Sequence, residues 1–323
     1  MNKYTLIDLP IYVAPEMYEI NVAVVCSALM NHGKIESVYR IGSVTAPGIS
    51  DIDLLVVFKD GVATAYNPLK KLDEIGQYLY IHKLFGCSHS HFQEAFKVTQ
   101  FHNYRLIGGT ETRPESEISK SDLTLLNQQT ALEYMIKMIA VMSVQRSHRV
   151  LKVRSFLLEA RALEYDLEFL GISSGELFEV IQQIIELRKK WFISSSSQAK
   201  VEVLFDKLFA LLTVFVSDIL ETHKFYTPGL YGGKFASNIF WRNDLRLIIN
   251  SKGIPLPAFP VRFLKKKYFN LMGRFRSFYL RIPVDPQPPA ILKKRFELNS
   301  EMNYYNSKNI PQFTSPASSL KFR

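Results

Sequence analysis

Cysteine is almost absent from this chain: Cys26 and Cys87 are the two in 323 residues. A disulfide scaffold of this length needs far more, so both read as reduced thiols and the expected location is cytoplasmic. Long hydrophobic runs are missing as well. The longest apolar stretch, Val201 to Leu220, is broken by Glu202, Asp206, Lys207 and Asp218, which fits a buried amphipathic helix and predicts no transmembrane segment. The N-terminus carries Lys3, Asp8, Pro10, Pro15 and Glu16 without an apolar core, so no secretory leader is expected. Internal repeats at solenoid periods, Gly-Arg repeats and RNA-recognition signatures are not found either.

What is present is a chain that is 47% hydrophobic and 22% charged, a balance that excludes disorder as the main state. Its length allows one large domain or two with real cores. The net charge of +10 is unevenly placed. Residues 226–323 hold roughly 17 Lys and Arg against about 4 Asp and Glu, close to +13, and the first 225 residues are about −3. The charge therefore belongs to a basic C-terminal extension.

Apolar periodicity divides the rest. Met17 to Asn31 reads as a helix ended by Gly33. Ser37 to Ile41 and Ile52 to Phe58 read as strands, the second aliphatic enough to be buried on both faces. Asn67-Pro68 is a cap followed by a first-turn proline and opens another helix, and His91 to Phe101 is expected as a further strand. Beyond the polar linker Glu111 to Ser121, long helices are predicted over Leu123–Val144, Ser147–Leu170, Ser174–Phe192 and Gln198–Lys224, the pattern of an antiparallel bundle. The expected fold class is α+β: residues 1–115 a mixed sheet with helices, 116–225 an α-helical bundle domain, and 226–323 a basic, aromatic-rich extension.

The chemistry-bearing stretch runs from Tyr39 to Phe58, with Gly42-Ser43 after the first strand and Asp51-Ile52-Asp53 leading into the second. Carboxylates at i and i+2 of a strand share a face and together suit a hard cation, without which they repel each other. A Gly-Ser turn offers backbone N–H groups and a hydroxyl to a phosphate, where side-chain bulk would block approach. These parts suit a nucleoside triphosphate with its magnesium, although an isolated Asp-x-Asp is also common in solvated turns.

Gly-Ser, a short loop and Asp-x-Asp entering an aliphatic strand resembles the signature of the DNA polymerase beta-like nucleotidyltransferase superfamily, over Gly42 to Phe58. The resemblance implies a nucleotidyltransferase-fold sheet and metal-dependent transfer of a nucleoside monophosphate from a triphosphate to an acceptor hydroxyl, with release of pyrophosphate. It implies that Asp51 and Asp53 hold Mg²⁺ (or Mn²⁺), and that Gly42 and Ser43 hold the β- and γ-phosphates. The acceptor stays open among small molecules, proteins, tRNA ends and nucleotides. Members of the family commonly carry a third carboxylate on a later strand, and the one acidic residue between Leu84 and Gly109 is Glu94. A Lys or Arg from the helical domain often reaches the triphosphate, and Lys152 is the candidate, drawn on one helix face with His148 or else an ordinary solvated residue. If the third position is empty, the alternative is a degenerate relative that binds nucleotide, nucleic acid or a partner without turnover.

Three further features carry weaker readings. Cys87, His89 and His91 alternate as in a zinc site, but a fourth ligand would have to come from His82 or His102, so a metal-free segment is expected. Gly108-Gly109-Thr110 reads as a turn. Arg262 to Asn270 and Arg274 to Arg281 interleave cations with aromatics, which suits a polyanion, whether nucleic acid or an anionic membrane surface, or a tail packed on the body.

Overall fold

The computed structural model describes residues 3–98, 103–115, 118–193, 197–229, 233–236, 239–242, 246–249 and 281–316. It is a mixed α+β structure whose described residues form two compact units. One comprises those within Ile11–Leu126 and Ala290–Ser318; the other comprises those within Met1–Pro10 and Asn127–Pro289.

The second unit opens with strand β1 (Thr5–Ile7). The first unit is built on four strands: β2 (Ile35–Ile41), β3 (Asp53–Phe58), β4 (Phe85–Ser88) and β5 (Tyr104–Gly109). Their order is β4-β3-β2-β5, with β3 antiparallel to β2, β2 antiparallel to β5 and β3 parallel to β4. Strand β3 reads Asp-Leu-Leu-Val-Val-Phe, and Leu54 through Phe58 have no exposed surface because both faces of the sheet are covered. On one face Leu54, Val56 and Phe58 pack with Tyr18, Val22, Val25 and Leu29 of helix α1 (Pro15–Met30). On the other, Leu55 and Val57 meet Phe92 and Ala95 of helix α3 (His89–Ala95) and Leu298 and Met302 of the last helix, α8 (Ala290–Asn309). Each such aliphatic side chain contributes about 1.5–3 kcal/mol by leaving water. Between β3 and β4 lie a 3-10 turn (Pro68–Lys71), capped by Asn67 Oδ1 accepting from the Leu69 N–H, and helix α2 (Glu74–Leu79).

The α/β unit therefore includes part of the basic extension drawn from composition. After α8, residues 311–315 run along β4: the Gly86 N–H donates to the Thr314 carbonyl at 2.9 Å, and the Thr314 N–H to the Leu84 carbonyl at 2.8 Å. This covers the outer edge of the sheet, a position that would otherwise template pairing with another chain. Gly86 is required there, since a Cβ would come within 2.9 Å of Phe313.

Three local expectations are corrected. The strand expected over His91–Phe101 is helix α3, because the Ser88 hydroxyl caps it by accepting from the His91 N–H and Phe92 and Ala95 face the core at helical spacing. Gly108 and Gly109 are not a turn but the end of β5. At Gly109, with φ of +81°, a Cβ would meet the Glu36 carbonyl at 2.0 Å. The long helix expected over Ser147–Leu170 is interrupted. Helix α4 (Lys120–His148) ends, Arg149 takes φ of +52°, and strand β6 (Val150–Lys152) pairs in parallel with β1 before α5 (Val153–Phe169) starts. His148 and Lys152 thus share no helix face.

In the second unit α5 buries Val153, Phe156, Leu157, Ala160, Leu163 and Leu167, and α6 (Glu176–Lys189) buries Leu177, Val180, Ile181 and Ile184 at matching spacing. Helix α7 (Ser197–Ile219) buries Val201, Phe205, Leu208, Leu212 and Val216. Strands β7 (Gly233–Ala236), β8 (Ile239–Arg242), β9 (Arg246–Ile249) and β10 (Arg281–Pro283) form an antiparallel sheet in the order β10-β9-β8-β7. The basic aromatic segment 262–280 lies outside the described residues. Among the described residues, no helix is long and apolar enough to cross a membrane.

Candidate functional site

The site grows from the β2–β3 hairpin. Ile41, the last residue of β2, pairs with Asp53, the first of β3, so whatever follows Ile41 lies at the end of the sheet where the two aspartates begin. Gly42 follows with φ of +69°, a left-handed turn that favours glycine, and its N–H donates to the Asn103 carbonyl at 3.2 Å. No heavy atom stands within 4 Å of where its Cβ would be. Ser43 and Thr45 are exposed, whereas Ala46, Ile49 and Ser50 are buried.

The buried half of this loop is strapped down by tyrosines. The Tyr18 hydroxyl donates to the Ser50 carbonyl at 2.9 Å and accepts from the Gly48 N–H at 2.8 Å, and the Tyr78 hydroxyl donates to the Gly48 carbonyl. The Ala46 N–H donates to Ser50 Oγ at 3.2 Å. A loop anchored on one side presents its polar tip, Gly42 to Thr45, in a fixed position.

Asp51 and Asp53 flank Ile52, whose side chain is buried and whose N–H donates to the Leu79 carbonyl at the end of α2. The same contact brings up the segment leading into β4. Because β4 runs parallel to β3, with Leu55 opposite Phe85, the residues just before β4 lie beside Asp53. There stands His82. Its Nε2 is 2.8 Å from Asp53 Oδ1 and 3.9 Å from Asp51 Oδ2, and one ligand atom from each of the three residues lies within 4.8 Å of the others. The opposite ring nitrogen, Nδ1, is 2.7 Å from the Lys83 carbonyl. Asp53 Oδ1 is shielded from solvent and has no well-directed hydrogen bond, so its contact with His82 is held by charge. Burial opposes a charged His82 ring, but the Asp53 carboxylate, the Lys83 carbonyl and the charge of Asp51 outweigh it and raise its pKa to about 9. Two carboxylates thus share one positive partner.

The remaining candidates are distributed elsewhere. Glu94 sits on α3 with its carboxylate between Lys97 Nζ at 2.6 Å and Lys294 Nζ at 3.2 Å, which hold it below the usual carboxylate range. It is not part of the Asp51–Asp53 cluster. On the strand beyond β2, the residue in line with Ile41 and Asp53 is Tyr104, whose phenol is pushed up by burial. The two later strands therefore bring a histidine and a tyrosine toward Asp53, and no carboxylate. Lys152 lies in the second unit, where it closes β6 opposite Ile7, and its backbone N–H donates to Gln145 Oε1 at 2.8 Å.

His82 is the residue that sequence reasoning did not assign to the pair, having weighed it as a fourth zinc ligand. Cys87 is instead buried in the core, with burial pushing its thiol up, and His91 Nδ1 lies 2.8 Å from Ser88 Oγ. The readable signal was a histidine three residues ahead of a short strand, but only the parallel pairing of β3 with β4 tells which end that residue reaches. Among the described residues, Asp51, Asp53 and His82 are the one cluster with metal-ligating geometry. No protein-family model, curated protein or solved structure matches this chain.

Proposed function

We propose that the α/β unit has a nucleotidyltransferase fold, and that its β2–β3 end binds a nucleoside triphosphate with a dication and transfers the nucleoside monophosphate to an acceptor hydroxyl. The observation that carries this reading is the Ile41–Asp53 register, which sets the open Gly42-Ser43 turn and the Asp51–Asp53 pair side by side. The residues fit a hard cation, since two carboxylates face one point and Asp53 Oδ1 is buried without a directed hydrogen bond. Mg²⁺ or Mn²⁺ there would supply charge neutralisation at the α-phosphoryl group and lower the barrier to attack by the acceptor.

The chain's own residues contribute positioning. The Gly42 turn, with no side chain, lets phosphate oxygens approach the backbone, and the exposed Ser43 hydroxyl adds a donor. Tyr18 and Tyr78 keep the loop from moving as the phosphates arrive. Asp51 and Asp53 hold the dication opposite that turn. Pyrophosphate release from mixed nucleoside triphosphates, measured with Mg²⁺ or Mn²⁺ and a cell extract as acceptor source, is the test. Absence of pyrophosphate under both metals would defeat the transfer reading.

A second reading, binding without turnover, is favoured by the occupants of the two later strands: His82 and Tyr104 stand toward Asp53, while Glu94 is held by two lysines. Calorimetric binding of a triphosphate in a protein that releases no pyrophosphate would establish it. In either case the basic composition of residues 226–323 supports a polyanionic partner, measurable as salt-sensitive binding.

A further inference from the structure

His82 differs in kind from its two neighbours. A carbonyl oxygen only accepts, so the 2.7 Å approach of His82 Nδ1 to the Lys83 carbonyl places a hydrogen on Nδ1. The opposite nitrogen, Nε2, lies 2.8 Å from Asp53 Oδ1 and 3.9 Å from Asp51 Oδ2, which also only accept. Histidines that bind metals through one nitrogen almost always donate the other N–H to a backbone carbonyl or carboxylate, which fixes the ring. The ring is braced further by Phe85, whose centroid is 5.1 Å away. Two donors in cis positions on an octahedral cation with bonds of about 2.1 Å lie roughly 3 Å apart, close to the observed Nε2–Oδ1 separation.

We propose that His82 is a third protein ligand of the dication held by Asp51 and Asp53, its Nε2 releasing its proton to water as the metal binds, and that this ring nitrogen makes the site select a first-row transition metal such as Mn²⁺ over Mg²⁺. The inference rests on the dication reading given above. Mg²⁺ prefers oxygen ligands and sheds its waters reluctantly, whereas imidazole strengthens binding to first-row transition dications. A cluster of two carboxylates alone would show no such preference; the imidazole supplies it.

The test is electron spin echo spectroscopy of Mn²⁺ bound to the full chain, with and without a nucleoside triphosphate. Nitrogen coupling from a directly bound imidazole is expected in the wild type and lost in His82→Leu. In His82→Gln the ratio of Mn²⁺ to Mg²⁺ affinity should fall at least roughly tenfold, the lower end of what removing even an outer partner of a ligand costs. Mn²⁺ that binds in an Asp51- and Asp53-dependent way without nitrogen coupling would overturn the role of His82 and leave the dication site standing. Failure of both Mn²⁺ and Mg²⁺ to bind in that dependent way, with triphosphate present, would remove the site itself. The decisive spectrum is that of the wild type, so a variant that misfolds does not spare the proposal.

Discussion

The two ends of strand β3 are built for opposite purposes. At the Phe58 end the strand is buried: Phe58 packs edge-on against Phe313 with centroids 4.9 Å apart, and Asn306 Nδ2 donates to the Gly86 carbonyl at 2.8 Å. At the Asp53 end, five residues away, two carboxylates and an imidazole gather beside an exposed Gly-Ser turn. Like charges held this close strain the fold unless something positive joins them. The apolar end supplies the rigidity that keeps them together, so stability and chemistry are separated along one strand.

That separation can be broken from either side. The largest effect is expected at the polar end: Asp51→Ala and Asp53→Ala should each abolish pyrophosphate release, read by activity assay. Retained activity in either variant would refute the metal assignment. At the apolar end, Phe313→Ala should cost about 3 kcal/mol of unfolding free energy by leaving a cavity against Phe58 and Gly86. Gly42→Ala, with open space for the methyl group but φ of +69°, should cost about 1 kcal/mol from backbone conformation alone and weaken triphosphate binding by crowding the phosphate approach. A binding loss without any stability change would show that the turn relaxes.

Smaller effects sharpen the comparison. Glu94→Gln should leave turnover unchanged, because its carboxylate answers to Lys97 and Lys294; a drop in turnover would make it the third acidic group after all. Glu111 is held at a pKa of about 2 by Arg113 and by the Tyr39 hydroxyl. The folded chain releases this proton more readily than the unfolded one, so the pair stabilises the fold above the ordinary carboxylate pKa. That contribution should be lost as pH falls from about 4.5 toward 2. Glu111→Gln should flatten this part of the pH–stability profile.

Much of this was readable from residues alone. The β3 run announced a strand buried on both faces, Asn67-Pro68 announced a cap, and Gly33 with φ of +73° ends the turn after α1 as its position suggests. Asp51 and Asp53 were legible because strand periodicity puts them on one side. His82 was not, since its place depends on a parallel pairing between segments some thirty residues apart, which no local pattern encodes. The break after His148 was hidden for the same reason: the pairing of β6 with Thr5–Ile7, near the start of the chain, overrides a helical pattern that continues through it. Composition also grouped α8 with its basic neighbours, whereas its buried Leu298 and Met302 belong to the sheet.

The strip of chain along β4 bears on how this protein is made. A ribosome finishes Ile11–Leu126 long before it reaches Pro311–Ser315, and at 5–20 residues per second the delay is on the order of ten to forty seconds. Throughout that interval the nascent sheet has no cover for its outer edge and lacks Phe313 against Gly86. The α/β unit is thus split in synthesis, most of it made well before the segment that covers its sheet, and chaperone dependence should concentrate in that window.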